Sequence, residues 1–207
     1  MTEWLREHRA SLVPPLGLSA LAASLIAWLP VPGFWWRMAL GAAILMPLSF
    51  LVAGRPLTPL LRPSRVHVLV GVAAAVFQYL AGAAVYALLA RHPRLASDFA
   101  TANVWRAAVP MHVGLVLLAF IVTAEELLWR GVVTLPLAAR LGPALGILAG
   151  AVLAGAAHVP LGLPLLTIAA FAAGVYWGLL AVLTRSLVPA IVCHYLFDVL
   201  VFYVRPY

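Results

Sequence analysis

Thr123-Ala124-Glu125-Glu126-Leu127-Leu128-Trp129-Arg130-Gly131 follows a long apolar run, residues 107–124, that is broken only by His112 and Thr123. Two adjacent carboxylates and an arginine therefore stand where a membrane helix should carry no charge. A charge at the bilayer centre costs between ~2.5 and ~17 kcal/mol, depending on how it is measured. Such residues persist when they face a bundle interior, find partners and perform a task. The chain has six acidic residues, and three of them (Glu125, Glu126 and Asp198) lie in or beside apolar runs.

The rest of the composition sets the frame for that stretch. The 207 residues are 65% hydrophobic and 9% charged. Soluble domains sit near 45–50% apolar and about a quarter charged. A soluble fold could not hide so much apolar surface, so the class is a polytopic membrane protein, all-α because each helix satisfies its own backbone in lipid. All thirteen basic residues are arginines, a usage that fits a GC-rich, bacterial genome. The net charge of +7 does not point to nucleic acid, because the arginines sit between apolar runs, where they set topology. The single cysteine, Cys193, lies within an apolar run and reads as a buried, inert thiol. Arg6 and Arg9 before an apolar stretch look like a signal peptide, but further spans follow and no convincing cleavage site does.

About seven transmembrane helices are expected, near residues 11–31, 34–53, 66–90, 107–133, 141–159, 165–184 and 187–204, since ~20 apolar residues cross the hydrocarbon core. Trp35, Trp36 and Arg37 form an interfacial belt at the second. The longest loop, 91–106, carries Asp98, Asn103 and Trp105 and has room for an interfacial helix. With the N-terminus in the cytoplasm, eight arginines fall inside (6, 9, 55, 62, 65, 130, 140 and 185) and five outside (37, 91, 94, 106 and 205). That bias favours N-in orientation in a bacterial cytoplasmic membrane. There is no internal repeat. The chain reads as one transmembrane domain, with accessory helices over 1–106 and a core over 107–207.

The polar residues of that core are spaced for helix faces. Glu126 and Arg130 are four apart and can pair. Glu125 points ~100° away around the helix and is free for other work. A headgroup-level charge cluster anchored by Trp129 is the plainer alternative. His158 ends the fifth span among small residues that allow close helix approach. His194 and Asp198, four apart, share a face of the last span, as a relay, metal site or catalytic pair would. A packing contact is the alternative. Convergence of these groups on one interior site leaves the fewest charges unpaired. Gly174 and Gly178 have the spacing of a tight helix contact. His8, His67, His92 and His112 read as non-catalytic.

On Glu125-Glu126-Leu-Leu-Trp-Arg130-Gly131, His158, and His194-Tyr-Leu-Phe-Asp198, in that order, the chain resembles the CAAX-prenyl-protease and bacteriocin-processing family of intramembrane glutamic endopeptidases. The first stretch is similar to the family's EExxxRG motif and the last to HxxxN or HxxxD. The resemblance covers about residues 110–204, which it implies form a four-helix catalytic core. Two positions depart from the pattern. Ala154 stands where an FxxxH motif has phenylalanine. Asp198 stands where many members have asparagine, so it must be protonated, hold His194 as an imidazolium, or bind a metal.

The resemblance implies that Glu125 is the general base on water and that His158 orients the water or protonates the leaving amine. His194, backed by Asp198, stabilises the oxyanion, and Glu126 and Arg130 position the rest. The residues alone leave open which glutamate is the base. No cofactor is expected. The substrate is a membrane-anchored protein or peptide, such as a bacteriocin leader, a C-terminal sorting signal or a CAAX-like tail, met in the lipid bilayer. A zinc-dependent version using Glu, His, His and Asp is one alternative. A non-enzymatic proton-coupled transporter or immunity protein is another.

Overall fold

A computed structural model of the chain describes residues 13–53, 57–89 and 93–204. Every regular element among these residues is helical. In order they are α1 (Val13–Trp28), α2 (Phe34–Ala53), a single turn Leu57–Leu60, α3 (Arg65–Leu89), α4 (Pro93–Ala107) and α5 (Met111–Glu126). A π-helical segment, Leu127–Thr134, joins α5 to α6 (Leu135–Leu141). Then follow α7 (Pro143–His158), a 3-10 turn Val159–Leu161, α8 (Pro164–Thr184) and α9 (Val188–Val199), which ends in a second π segment, Leu200–Val204.

The protein is a helical membrane protein. Among the described residues, five helices are long and apolar enough to cross a membrane: Phe34–Ala53, Arg65–Leu88, Met111–Leu141, Pro143–Leu161 and Pro164–Thr184. The first and last of the seven expected spans are apolar helices of shorter length, Pro14–Trp28 and Val188–Val204. Arg6, Arg9, Arg55, Arg91 and Arg205 of the topology count, together with His8 and His92, lie outside the described residues.

Prolines and glycines punctuate the core where the chain reverses. Pro143, Pro164 and Pro189 open α7, α8 and α9, where a missing N–H costs nothing. Gly142, at φ 86°, makes the sharp turn from α6 into α7. That turn brings the two helices so close that a Cβ on Gly146 would fall on the backbone of Ala138. The α7–α8 hairpin is equally tight. A Cβ on Gly174 would lie 3.0 Å from Ala151, and one on Gly178 3.1 Å from Ile147. The Gly174–Gly178 spacing thus serves the close approach of α8 to α7.

The α5–π–α6 rod is the centre of the bundle. Leu127 to Ala138 are all buried, and Leu127, Leu128, Trp129, Val132, Val133 and Leu135 form the middle of the main core cluster. The rod was expected to be α-helical to about residue 133. Instead the Thr134 hydroxyl donates to the Trp129 carbonyl at 2.7 Å and the Leu135 N–H to the Arg130 carbonyl. The backbone i→i−5 pairing widens the helix, a feature frequent at functional sites. The headgroup-level alternative is overturned, since Trp129 is 4% exposed and sits in the core. Arg130, at 2%, also leaves the topology count, because its charge is held inside the bundle.

The 91–106 stretch is mostly a helix, α4, and its Asp98 is buried. The Asp98 carboxylate accepts from the Leu165 N–H at 2.8 Å, which caps the start of α8 from another helix. At the opposite end of the bundle the α8–α9 turn is pinned to the Leu57–Leu60 turn. Both the Leu187 N–H and the Ser186 hydroxyl donate to the Leu60 carbonyl, at 2.9 and 3.0 Å.

Candidate active site

Glu126 is completely buried. Its Oε1 accepts from Arg130 Nη1 at 3.0 Å and from His194 Nδ1 at 2.9 Å. One carboxylate oxygen thereby ties α9 to the central rod. The i,i+4 pairing with Arg130 follows from sequence spacing. The bond to His194 does not, because it depends on how α9 packs against α5. Carboxylates paired with arginine accept, so Nδ1 of His194 carries a proton.

The other ring nitrogen of His194 faces Asp198 and Glu125. Nε2 is 3.4 Å from Asp198 Oδ2 and 3.8 Å from Glu125 Oε2. Both carboxylates keep some exposure, 19% and 21% of their side chains, whereas His194 keeps 8%. Glu125 and Glu126 therefore differ in surroundings as the ~100° step between them predicts. Glu126 is enclosed among partners, and Glu125 stands at the edge of an open space.

That space is a cavity of about 160 Å³. At ~30 Å³ per water it has room for several waters or an apolar side chain. Glu125, Arg130, His158, His194 and Asp198 line its inner part, and Phe34, Trp35, Met38, Trp105 and Phe202 line it too. The cavity reaches the end of the bundle formed by the start of α2, the end of α4 and the α7–α8 turn, where Phe34, Trp105 and Leu161 contribute. Phe34 stacks on Trp105 at 4.0 Å, and the Trp35 indole donates to the Trp105 carbonyl at 2.7 Å. So α2, read from sequence as support, also supplies wall. Glu125 borders a second, smaller cavity of about 30 Å³ shared with Arg37 and Gly41.

His158 sits on the wall with its Nδ1 2.8 Å from the Ala154 carbonyl. A carbonyl only accepts, so Nδ1 donates, and in the neutral ring Nε2 is left as an acceptor. All six residues singled out from sequence thus meet here. Glu125, Arg130, His158, His194 and Asp198 line the cavity, and Glu126 lies behind it.

Sequence reasoning missed Trp177 and Gln78. The Trp177 indole stacks on His194 with centroids 3.7 Å apart and planes at 20°, and the Arg130 guanidinium carbon lies 4.9 Å from the same ring. Its N–H donates to Gln78 Oε1 at 2.7 Å. Gln78 is the one amide in the long apolar run of α3, and an isolated amide in a membrane span was the available signal. Among the described residues, no three His, Cys, Asp or Glu side chains form a group that could hold a metal ion.

Fold and site together define a polytopic helical membrane protein that keeps a paired set of ionisable groups around an interior cavity. Residues 106–200 match the family model described as type II CAAX prenyl endopeptidase Rce1-like, so this segment is similar to the CAAX protease family. No curated protein and no solved structure matches the chain.

Proposed function

We propose that the protein is an intramembrane endopeptidase of the glutamic type, in which Glu125 activates the water that cleaves a membrane-anchored substrate. The observation that carries this reading is the unequal placement of the two glutamates. Glu126 spends its bonding oxygen on Arg130 and His194, at 3.0 and 2.9 Å. Glu125 keeps its carboxylate at the cavity, as a general base needs.

The roles of the other residues follow from which atoms carry protons. His158, with Nδ1–H bonded to Ala154, presents an acceptor at Nε2 and so orients the attacking water. Glu125 takes one proton from that water while its oxygen bonds to the scissile carbonyl carbon. The C–N bond then breaks, and the proton held on Glu125 passes to the leaving amine. His194 donates through Nε2 to the developing oxyanion. With Nδ1–H already given to Glu126, that donation requires the imidazolium, and Asp198 beside Nε2 stabilises it. Of the three states open to Asp198, this reading takes the ionised one. Glu126 and Arg130 hold His194 and the helix end in register.

The substrate is a bacteriocin leader, a C-terminal sorting signal or a CAAX-like tail. With the N-terminus in the cytoplasm of a bacterial cell and α1 crossing the membrane, the cavity-bearing end of the bundle faces away from the cytoplasm. A C-terminal sorting helix suits that side best. Residues 107–207 form the catalytic core, and 1–106 support it and line its mouth.

The test is Glu125→Gln in purified protein and in membranes. Its expected signature is unchanged thermal unfolding with cleavage reduced by at least about 10²-fold, in line with general-base loss. Normal processing by the Gln variant would end the proposal.

A further inference from the structure

The site does not end at the family-matched segment, residues 106–200. Gln78 lies on α3, outside it, and its Oε1 accepts two hydrogen bonds from inside it. One comes from the Trp177 indole at 2.7 Å and one from the Cys193 thiol at 3.3 Å. Trp177 and Cys193 are buried, at 6% and 0% exposure. Trp177 in turn lies against His194 at 3.7 Å and under Arg130 at 4.9 Å. Around the same imidazole stand Glu126 on Nδ1 and Glu125 and Asp198 on Nε2. The ring therefore has two edges set by carboxylates and one face set by an indole.

We propose that Gln78 is a positioning residue of the active site, acting through Trp177 to hold the plane of the His194 imidazole. An indole is free to slide or tilt within its stack unless its N–H is anchored. In a membrane interior few acceptors compete for that N–H, so one amide oxygen decides the ring's orientation. Anchored, the indole face lies against the imidazolium and the guanidinium, an arrangement that favours both cations. It also keeps Nε2 of His194 directed at the cavity. The attachment of α3 is built for this precision. The Tyr176 hydroxyl donates to the Ala74 carbonyl at 3.2 Å, and Gly71 lets α3 close on α9, where a Cβ would lie 2.7 Å from Val192. Helix α3 is thus a working wall of the site.

This inference rests on the protease reading for its kinetic consequence and on geometry alone for its spectroscopic one. The variants are Gln78→Met, which keeps volume and removes the acceptor, Trp177→Phe, which keeps a stacked ring and removes the donor, and the pair together. Each is reconstituted in liposomes and given an internally quenched farnesylated peptide ending in a CAAX sequence. The expected result is a loss in kcat of about tenfold for Gln78→Met with KM unchanged, as for a small misplacement of a catalytic group. In the Trp177→Phe background the same change should cost little further, because the one donor left to lose its acceptor is the weak Cys193 thiol. Nitrogen-15 NMR of labelled histidine should show the His194 titration displaced in Gln78→Met and not displaced further in the double variant. Equal losses from Gln78→Met in both backgrounds, or a His194 titration identical to wild type, would overturn the proposal. If wild type leaves the peptide uncut, the CAAX-like tail is excluded as a substrate while the protease reading stands on the sorting helix, and the NMR comparison still decides the role of Gln78.

Discussion

Glu126 and His194 are bonded across 68 residues of chain, Oε1 to Nδ1 at 2.9 Å, with the same oxygen 3.0 Å from Arg130. The contact joins the central rod to α9 by a charge-assisted bond in a buried site. Its loss therefore has an effect that loss of Glu125 should not share. Glu126→Ala leaves the Arg130 guanidinium buried without its counter-charge, which costs about 3–5 kcal/mol in comparable sites. Thermal unfolding in detergent is expected to fall well below wild type for Glu126→Ala and to stay near it for Glu125→Ala. A Glu126→Ala protein as stable as wild type would mean that Arg130 has found another partner.

The helix contacts that carry the site impose a steric prediction. A methyl group on Gly146 would run into the Ala138 backbone, whereas one on Gly17 meets nothing within 4 Å. Overpacking costs about 1–3 kcal/mol, and Gly-to-Ala at an open helical position gains about 0.5–1 kcal/mol. Gly146→Ala should therefore lower the unfolding temperature and Gly17→Ala hold or raise it, with both read in the same detergent.

Much of this arrangement was legible in the chain itself. Helical class, the buried charge cluster and the shared face of Glu126 and Arg130 follow from hydropathy and a 3.6-residue period. That Glu125 and Glu126 have different neighbours follows from the same period. What periodicity could not supply was any contact between helices. The Glu126–His194 bond, the Asp98 cap on Leu165 and the Gln78–Trp177 bond each join elements at least 67 residues apart. The π segment was equally hidden, because apolar residues on all sides of a central rod fit either winding.

Asp98 offers a test of the α4–α8 junction. Its carboxylate accepts the Leu165 N–H at 2.8 Å, near the first turn of α8, where a negative charge also favours the helix dipole. Removing a capping oxygen costs about 1 kcal/mol. Asp98→Ala is expected to lower stability by that order, with Asp98→Asn recovering most of it, both measured by thermal unfolding. Equal loss in the two variants would show that charge, and not the capping bond, holds α4 in place.

Orientation has its own test, independent of catalysis. With Arg130 removed from the count, seven arginines remain on the N-terminal side against five, still in the N-in direction. Pro160, in the α7–α8 turn at the cavity end, is exposed. Cys193, the native thiol, is fully buried and should stay silent. Pro160→Cys in intact cells is expected to react with a membrane-impermeant maleimide added outside. Labelling only after the cells are opened would place the cavity mouth in the cytoplasm and make a CAAX-like tail the better substrate.

The zinc-dependent alternative turns on one proton. An oxyanion donor at His194 needs a hydrogen on Nε2, since Nδ1 already gives its own to Glu126 at 2.9 Å. A zinc ligand needs that same nitrogen bare. The two mechanisms therefore exclude each other at a single atom, and metal removal separates them. Under the glutamic reading, cleavage of the farnesylated peptide after exhaustive treatment with 1,10-phenanthroline stays within about twofold of the untreated rate, far from the loss of bound-water activation that zinc removal brings. Metal content by mass spectrometry is expected to be well below one zinc per chain in active protein. Loss of activity with the chelator, restored by added zinc and absent with a non-chelating isomer, would assign Nε2 of His194 to a metal instead.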